Sequence, residues 1–186
     1  MSKIAIVTGS TRDGRKNRHV AEWVLAEAQK RQDAEFELVD IADYGLPLLG
    51  QSGSEQARAG VKEFSARIDE FDGYIFVTPE YNHSLSPALA NALSYLKPEL
   101  ANKAAGIVSY GSAFGVRAVE HLRGILSELQ VAHVQKTGLF SLFADFRDGR
   151  FAPSELQAAS IIPMLDQVIL WTRALETVRS EEAAVA

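Results

Sequence analysis

Short, nearly continuous apolar runs alternate along the chain with stretches in which apolar residues recur every three or four positions. Lys3 to Thr8 (KIAIVT) has the β-branched, apolar character of a strand buried on both faces. A polar, glycine-containing loop, Gly9 to Lys16, follows it. Val20, Trp23, Val24 and Ala28 then fall at helical spacing between Asn17 and Arg31, with Asn17 placed to cap. Phe36 to Ile41 predicts a second strand, Ala42 to Gly53 an irregular connection rich in Gly and Pro, and Ser54 to Glu70 a more polar helix. Tyr74 to Thr78 (YIFVT) is a third strand that stops at Pro79, and a helix begins near Pro87, a residue suited to a first turn. Ala104 to Ser109 is a fourth strand and Gly111 to Gly115 a loop. Val116, Val119, Leu122, Ile125 and Leu129 mark the face of the next helix. Ala132 to Thr137 predicts a fifth strand. Ser154 to about Val178 closes the chain as a helix that Pro163 kinks or restarts, with a frayed tail from Ser180 to Ala186.

Five strands alternating with helices predict an α/β fold, a doubly wound five-stranded parallel sheet with helices on both faces. In such sheets a ligand sits outside the carboxyl ends of the strands, where strand order reverses. For the flavodoxin-like order 2-1-3-4-5, the loops after strands one, three and four converge on one crevice. These are the three polar loops found above, so the site is expected there, within one domain spanning residues 1–186.

Composition narrows the partners. With 19 Lys plus Arg against 24 Asp plus Glu, the net charge of −5 offers no general attraction to nucleic acid or anionic lipid. The absence of cysteine excludes disulfides, a thiolate nucleophile and a Cys-ligated metal cluster. No apolar run approaches a membrane span, and the start MSKIAIVTGS reads as a strand rather than a signal peptide, so a cytoplasmic address is expected.

Each loop suits a different part of one ligand. The first, from Gly9 to Asn17, sets Ser10, Thr11, Arg12, Arg15 and Lys16 at a helix amino terminus, where unpaired N–H groups, hydroxyls and cations favour a phosphate. It has neither P-loop nor G-x-G-x-x-G spacing, and a merely solvated connector would look similar. The second, Thr78 to Ser84, carries Pro79, Glu80, Tyr81 and Asn82, which suit a planar heterocycle with polar edges; a simple turn with Tyr81 covering the core is the alternative. The third, Ser109 to Arg117, sets Ser109, Tyr110, Gly111 and Ser112 where backbone can approach a flat ligand, and Phe114 is either core or lid.

Other chemistry is poorly supported. His19, His83, His121 and His133 form no i, i+4 pairing or H-E-x-x-H motif, so no metal site is expected, and His83 receives no catalytic role. Ser10 and Ser112 lack a G-x-S-x-G frame. Asp40 could mimic a ribose-binding acid, but the glycines that accompany one are missing.

At these loops the chain resembles the NADPH-dependent FMN reductase family, which includes quinone, azo-dye, chromate and flavin reductases. GSTRDGRKNR is similar to the family's phosphate loop, which implies that Ser10, Arg12 and Asn17 hold the FMN phosphate. PEYNHS, Pro79 to Ser84, looks like its most specific motif, implying Glu80, Tyr81 and Asn82 along the ribityl chain and ring. SYGS, Ser109 to Ser112, is similar to its S-Y-G-G. Departures are Arg15 in place of a serine, Ser112 in place of a glycine, and Ala90 and Ser94 at the usual Lys and Asp positions.

The resemblance implies an FMN-dependent enzyme taking hydride from NADPH or NADH to a small acceptor: a quinone, azo compound, metal oxyanion or free flavin. No catalytic side chain is required, because the flavin carries the hydride. A flavodoxin-type electron carrier and a non-enzymatic binding module are the rivals. Arg12, Arg15, Lys16 and Arg117 near the ring favour two-electron chemistry over the carrier's. Leu85, Leu89, Leu93 and Leu96 beside Ala88, Ala92 and Tyr95 exceed what one sheet contact covers, so a homodimer or homotetramer is expected.

Overall fold

A computed structural model describes residues 1–51 and 53–185. Strands β1 (Lys3–Thr8), β2 (Glu35–Asp40), β3 (Gly73–Pro79), β4 (Ala104–Gly111) and β5 (Ala132–Ser141) form the expected parallel sheet, in the flavodoxin-like order β2-β1-β3-β4-β5. Helices α2 (Glu55–Asp69), α3 (Pro87–Leu93) and α4 (Val116–Glu128) cover one face, while α1 (Asn17–Ala28) and α6 (Ile162–Val185) cover the other. A short α5 (Glu155–Ala159) precedes α6.

The continuous apolar strands follow from this double burial. Along β1, Ala5 and Val7 pack with Phe64, Leu89 and Leu122, whereas Ile4 and Ile6 pack with Val20, Val24 and Val168. Each such fully buried side chain contributes about 1.5–3 kcal/mol relative to exposure. The carboxyl ends of β1, β3 and β4 therefore sit on a rigid two-sided core, and the loops that leave them inherit fixed positions.

Several boundaries differ from expectation. Asn17 does not cap α1; Lys16 takes that position without a side-chain bond, for a reason given by the site below. A 3-10 helix, Ile41–Tyr44, opens the segment expected to be irregular, because Asp40 accepts the Ala42 N–H and turns the chain; Ser52 of that segment lies outside the described residues. Pro163 stands in the first turn of a restarted helix, as expected, but α6 continues to Val185 rather than fraying at Ser180. The expected tail's last residue, Ala186, is outside the described residues.

The largest difference follows strand five, which runs four residues past its expected end at Thr137 and leads into a hairpin of β6 (Phe146–Arg147) and β7 (Arg150–Phe151). Asp148 and Gly149 turn it with φ of 49° and 77°, a signal legible in the Asp-Gly pair. Two-residue strands carry no readable periodicity. What fixes them is an aromatic cluster in which Trp23, Phe140, Phe146 and Phe151 meet with ring centroids 5.0 to 5.4 Å apart.

Candidate functional site

The first loop is held from beneath. The Gly9 N–H is shared between the Val77 carbonyl and the Asn17 Oδ1, both at 2.8 Å, and the Asn17 Nδ2 donates to the Val77 carbonyl at 2.9 Å. Asn17 is fully buried, so its amide ties β1 to β3 instead of capping α1 or presenting itself to a ligand. A Cβ at position 9 would lie 2.6 Å from the Val77 oxygen, hence glycine. Ser10 is also buried, 3.5 Å from the Tyr81 hydroxyl. The amino end of α1 is thus left without a side-chain cap, flanked by Arg12, Arg15 and Lys16.

Arg15 is anchored from an unexpected side. Asp40, at the end of β2, is 3% exposed and accepts hydrogen bonds from Thr8 Oγ1 (2.7 Å), Arg15 (2.7 Å), Arg18 (3.0 Å) and the Ala42 N–H (3.1 Å). Burial pushes the Asp40 carboxyl up, but the bonds from Thr8, Arg15 and Ala42 outweigh it and hold the carboxyl below its ordinary value. The Nε of Arg15 is buried without a partner among the described residues. By contrast Arg12 is exposed, and its guanidinium has no partner among the described residues.

In the second loop, Glu80 is paired within the protein. Its carboxylate accepts the Arg117 backbone N–H at 3.1 Å and Arg117 Nε at 2.6 Å, which fastens this loop to the start of α4. Burial raises the Glu80 carboxyl, yet the Arg117 bonds prevail and the net displacement is downward. Asn82 and His83 adopt φ of 48° and 63° in a two-residue turn closed by reciprocal Tyr81–Ser84 backbone bonds of 2.9 Å. Asn82 therefore serves the turn, where a left-handed residue is needed.

The third loop is built the same way. Buried Ser109 directs its hydroxyl at the carbonyls of Thr78 (3.0 Å) and Gly115 (3.1 Å). Gly115 has φ of 76°, and a Cβ there would lie 1.9 Å from the Ser109 Oγ. Tyr110 is 4% exposed, and burial pushes its phenol up. Phe114, 45% exposed with φ of 59°, is at the rim rather than in the core. Ser112 is exposed beside it.

Between the loops lies a cleft of about 230 Å³. Of the residues expected from sequence, Arg12, Arg15, Pro79, Glu80, Tyr81 and Tyr110 line it, joined by Gly14, Lys16 and Leu142. Thr11 instead lines a neighbouring cleft with Ile41, Leu46, Pro87 and Asn91. Ser10, Asn17 and Ser109 support the floor, and Asn82, Gly111 and Ser112 stand outside the lining. Leu142 escaped the sequence reading because it lies beyond the expected end of strand five, whose loop the switch-point rule does not select.

Two departures from the family pattern now have structures. Ser94, instead of pairing with position 90 through charge, donates its hydroxyl to the Ala90 carbonyl at 2.8 Å. Arg15 finds its counter-ion in Asp40, and Arg117 finds one in Glu80. Of the four cations Arg12, Arg15, Lys16 and Arg117, Arg12 and Lys16 have no carboxylate partner among the described residues; Lys16 rests over the Phe146 ring at 4.8 Å.

The model of a family described as NADPH-dependent FMN reductase matches residues 2–145. The chain belongs to the NADPH-dependent FMN reductase family. It is accordingly an enzyme of the kind that works with FMN and a reduced nicotinamide. Among curated relatives, an NAD(P)H-dependent FMN reductase of Nectria sp is 33% identical over 154 residues, 77% of each chain. A 2-hydroxy-1,4-benzoquinone reductase of Burkholderia sp is 31% identical over 74% of this chain and 77% of its own. The solved flavoenzyme NAD(P)H:(acceptor) oxidoreductase of Paracoccus denitrificans superposes with a TM-score of 0.72 at 21% identity, covering 94% of this chain and 98% of that one. With the strand order, this likeness makes the fold flavodoxin-like.

The residues present fit FMN. An uncapped helix amino end with Arg12 and Lys16 matches a phosphate, the partnerless Arg15 Nε offers one more donor, and Tyr81 offers aromatic surface to a ring.

Proposed function

We propose that the protein is an NAD(P)H oxidoreductase in which FMN occupies the cleft between the first and second loops and a quinone is the preferred acceptor class. The observation that carries this reading is the lining of that cleft, which joins the cations of the α1 amino end to the Tyr81 ring. When bound, FMN supplies the position that accepts a hydride and passes electrons on. Arg12 and Lys16 hold the phosphate, and Arg15, oriented by Asp40, supplies its Nε. Pro79, Tyr81 and Tyr110 bound the ring, and the Gly111–Ser112 backbone borders its edge. Asn17, Glu80 and Ser109 position these groups by bonds to backbone and to Arg117. No side chain is assigned a proton-transfer role. The name of the Burkholderia relative supports a quinone; azo compounds, metal oxyanions and free flavin are the other acceptors to screen, with both NADPH and NADH.

Purified protein should bind FMN, and anaerobic addition of NADPH or NADH should remove the visible absorbance in one two-electron step, after which a quinone restores it without a protein partner. FMN uptake without reduction by either nicotinamide would favour an electron carrier, and no FMN uptake would favour a non-enzymatic module.

We further propose that one FMN-binding domain spans residues 1–186, and that it works in the cytoplasm, where the NAD(P)H pool is maintained. A homodimer or homotetramer is also proposed, on changed grounds. Leu85, Leu89, Leu93 and Leu96 are all buried in the protomer's own core, so they do not argue for association. The support is instead the groove between α3 and α4, where Ile125 and Leu129 stand half-buried. Light scattering at high micromolar concentration should return at least twice the chain mass; a monomer mass would refute it.

A further inference from the structure

The segment that follows β5 leaves apolar side chains exposed beside the cleft. Leu142 lines the cleft and is 36% exposed, and its neighbour Phe143 is 80% exposed. Their backbone is not loose. The Ser141 N–H donates to the Asp145 carboxylate at 2.6 Å, the Asp145 N–H to the Ser141 carbonyl at 3.0 Å, and the Phe143 N–H to the Ser141 hydroxyl at 3.1 Å. Ser141 and Asp145 are themselves buried, and the turn leads into the hairpin anchored on Trp23 and Phe140.

The same turn is joined to the third loop through one atom. The Gly111 carbonyl accepts both the Phe114 N–H, at 3.2 Å, and the Leu142 N–H, at 3.1 Å. The backbones of Phe114 and Leu142 are thereby brought together beside the cleft that Leu142 lines. Fixing apolar side chains in water on a hydrogen-bonded turn gains nothing for folding, and such surfaces mark binding sites. A charged oxyanion is drawn to the cationic end; an apolar plane is the chemistry that this side accepts.

We infer that Leu142, Phe143 and Phe114 form the wall that selects the electron acceptor, and that it favours planar, uncharged aromatic acceptors such as quinones over inorganic oxyanions. This rests on the reading of the cleft as an FMN site. The role is one of specificity: the wall touches the acceptor and excludes water beside it, and carries out no chemical step.

The test uses the FMN-loaded protein and the variants Phe143→Ser, Phe143→Leu and Leu142→Asn. With NADPH as donor, Phe143→Ser should lower kcat/KM for 1,4-naphthoquinone relative to that for ferricyanide by about tenfold, the loss of much of one phenyl contact. Calorimetric affinity of the oxidised protein for 2-naphthol, which is not reduced, should fall by a similar factor. Phe143→Leu should recover most of both, and Leu142→Asn should behave like Phe143→Ser. An unchanged acceptor ratio and unchanged naphthol affinity in Phe143→Ser and Leu142→Asn would overturn the inference, while leaving the FMN reading intact. So would a shift of Phe143→Ser to a smaller oligomer with the ratio preserved, because Phe143 would then be covering a second copy. Wild-type protein that takes up no FMN would overturn the underlying reading and the inference with it.

Discussion

Replacing Asp40 with alanine should lower the unfolding free energy of the FMN-free protein by about 3 kcal/mol, read from its urea midpoint. The Asp40 side chain is 2% exposed and faces two guanidinium groups, so its removal leaves positive charge with nowhere to go. The figure sits at the low end of the range for broken buried pairs because Arg15 is 19% and Arg18 45% exposed, which lets water take part of the charge. FMN should stabilise this variant less than it stabilises wild type, since Asp40 no longer orients Arg15 for the phosphate. An unchanged midpoint would show that the cluster is incidental. The same group sets an acid limit. Its folded carboxyl lies below the ordinary value of about 4, so the native state binds fewer protons than the unfolded chain. Its stabilisation is complete above that ordinary value and is lost as pH falls through the lowered one. Asp40→Asn should flatten this acid limb in part, with Asp33, Glu37, Glu80 and Glu99, whose carboxyls are also held below their ordinary values, supplying what remains.

Arg12→Ala should do the opposite, leaving stability within about 0.5 kcal/mol of wild type while weakening FMN by about 1.5–3 kcal/mol. The guanidinium is exposed and has no protein partner among the described residues, so folding does not depend on it. A charge-assisted bond to a phosphate is its one assigned task. Fluorescence titration with FMN and riboflavin separates the cases: the variant should lose its preference for FMN and bind riboflavin as wild type does. Equal wild-type affinity for the two flavins would remove the phosphate from the site altogether.

These two arginines show how far reading the loop could go. Both stand in a polar loop at a helix amino end, and sequence treats them alike. Only the fold separates them, by bringing the end of β2 beside the end of β1, where Thr8 pairs with Asp40 in the sheet register. Glu80 is a similar case. Its place in PEYN suggested a ligand contact, and only the arrival of α4 at the second loop reveals its partner, 37 residues further along the chain.

The sequence by itself determined the succession of elements, the parallel doubly wound sheet and the loops that carry the site. Those follow from local periodicity, from strands buried on both faces, and from the few crossovers that a parallel sheet permits. Tertiary structure alone decided which polar side chains line the cleft and which hold its floor. Asn17 and Ser109 are polar residues in site loops, yet each is consumed by backbone atoms from other elements, Asn17 by Val77, 60 residues away. It also decided that Leu142 joins the wall, because β5 runs four residues longer than its apolar pattern and is held there by the aromatic cluster beneath the hairpin. A buried polar atom must be satisfied by whatever the fold brings within 3 Å, and that distance is not encoded in any short stretch of sequence.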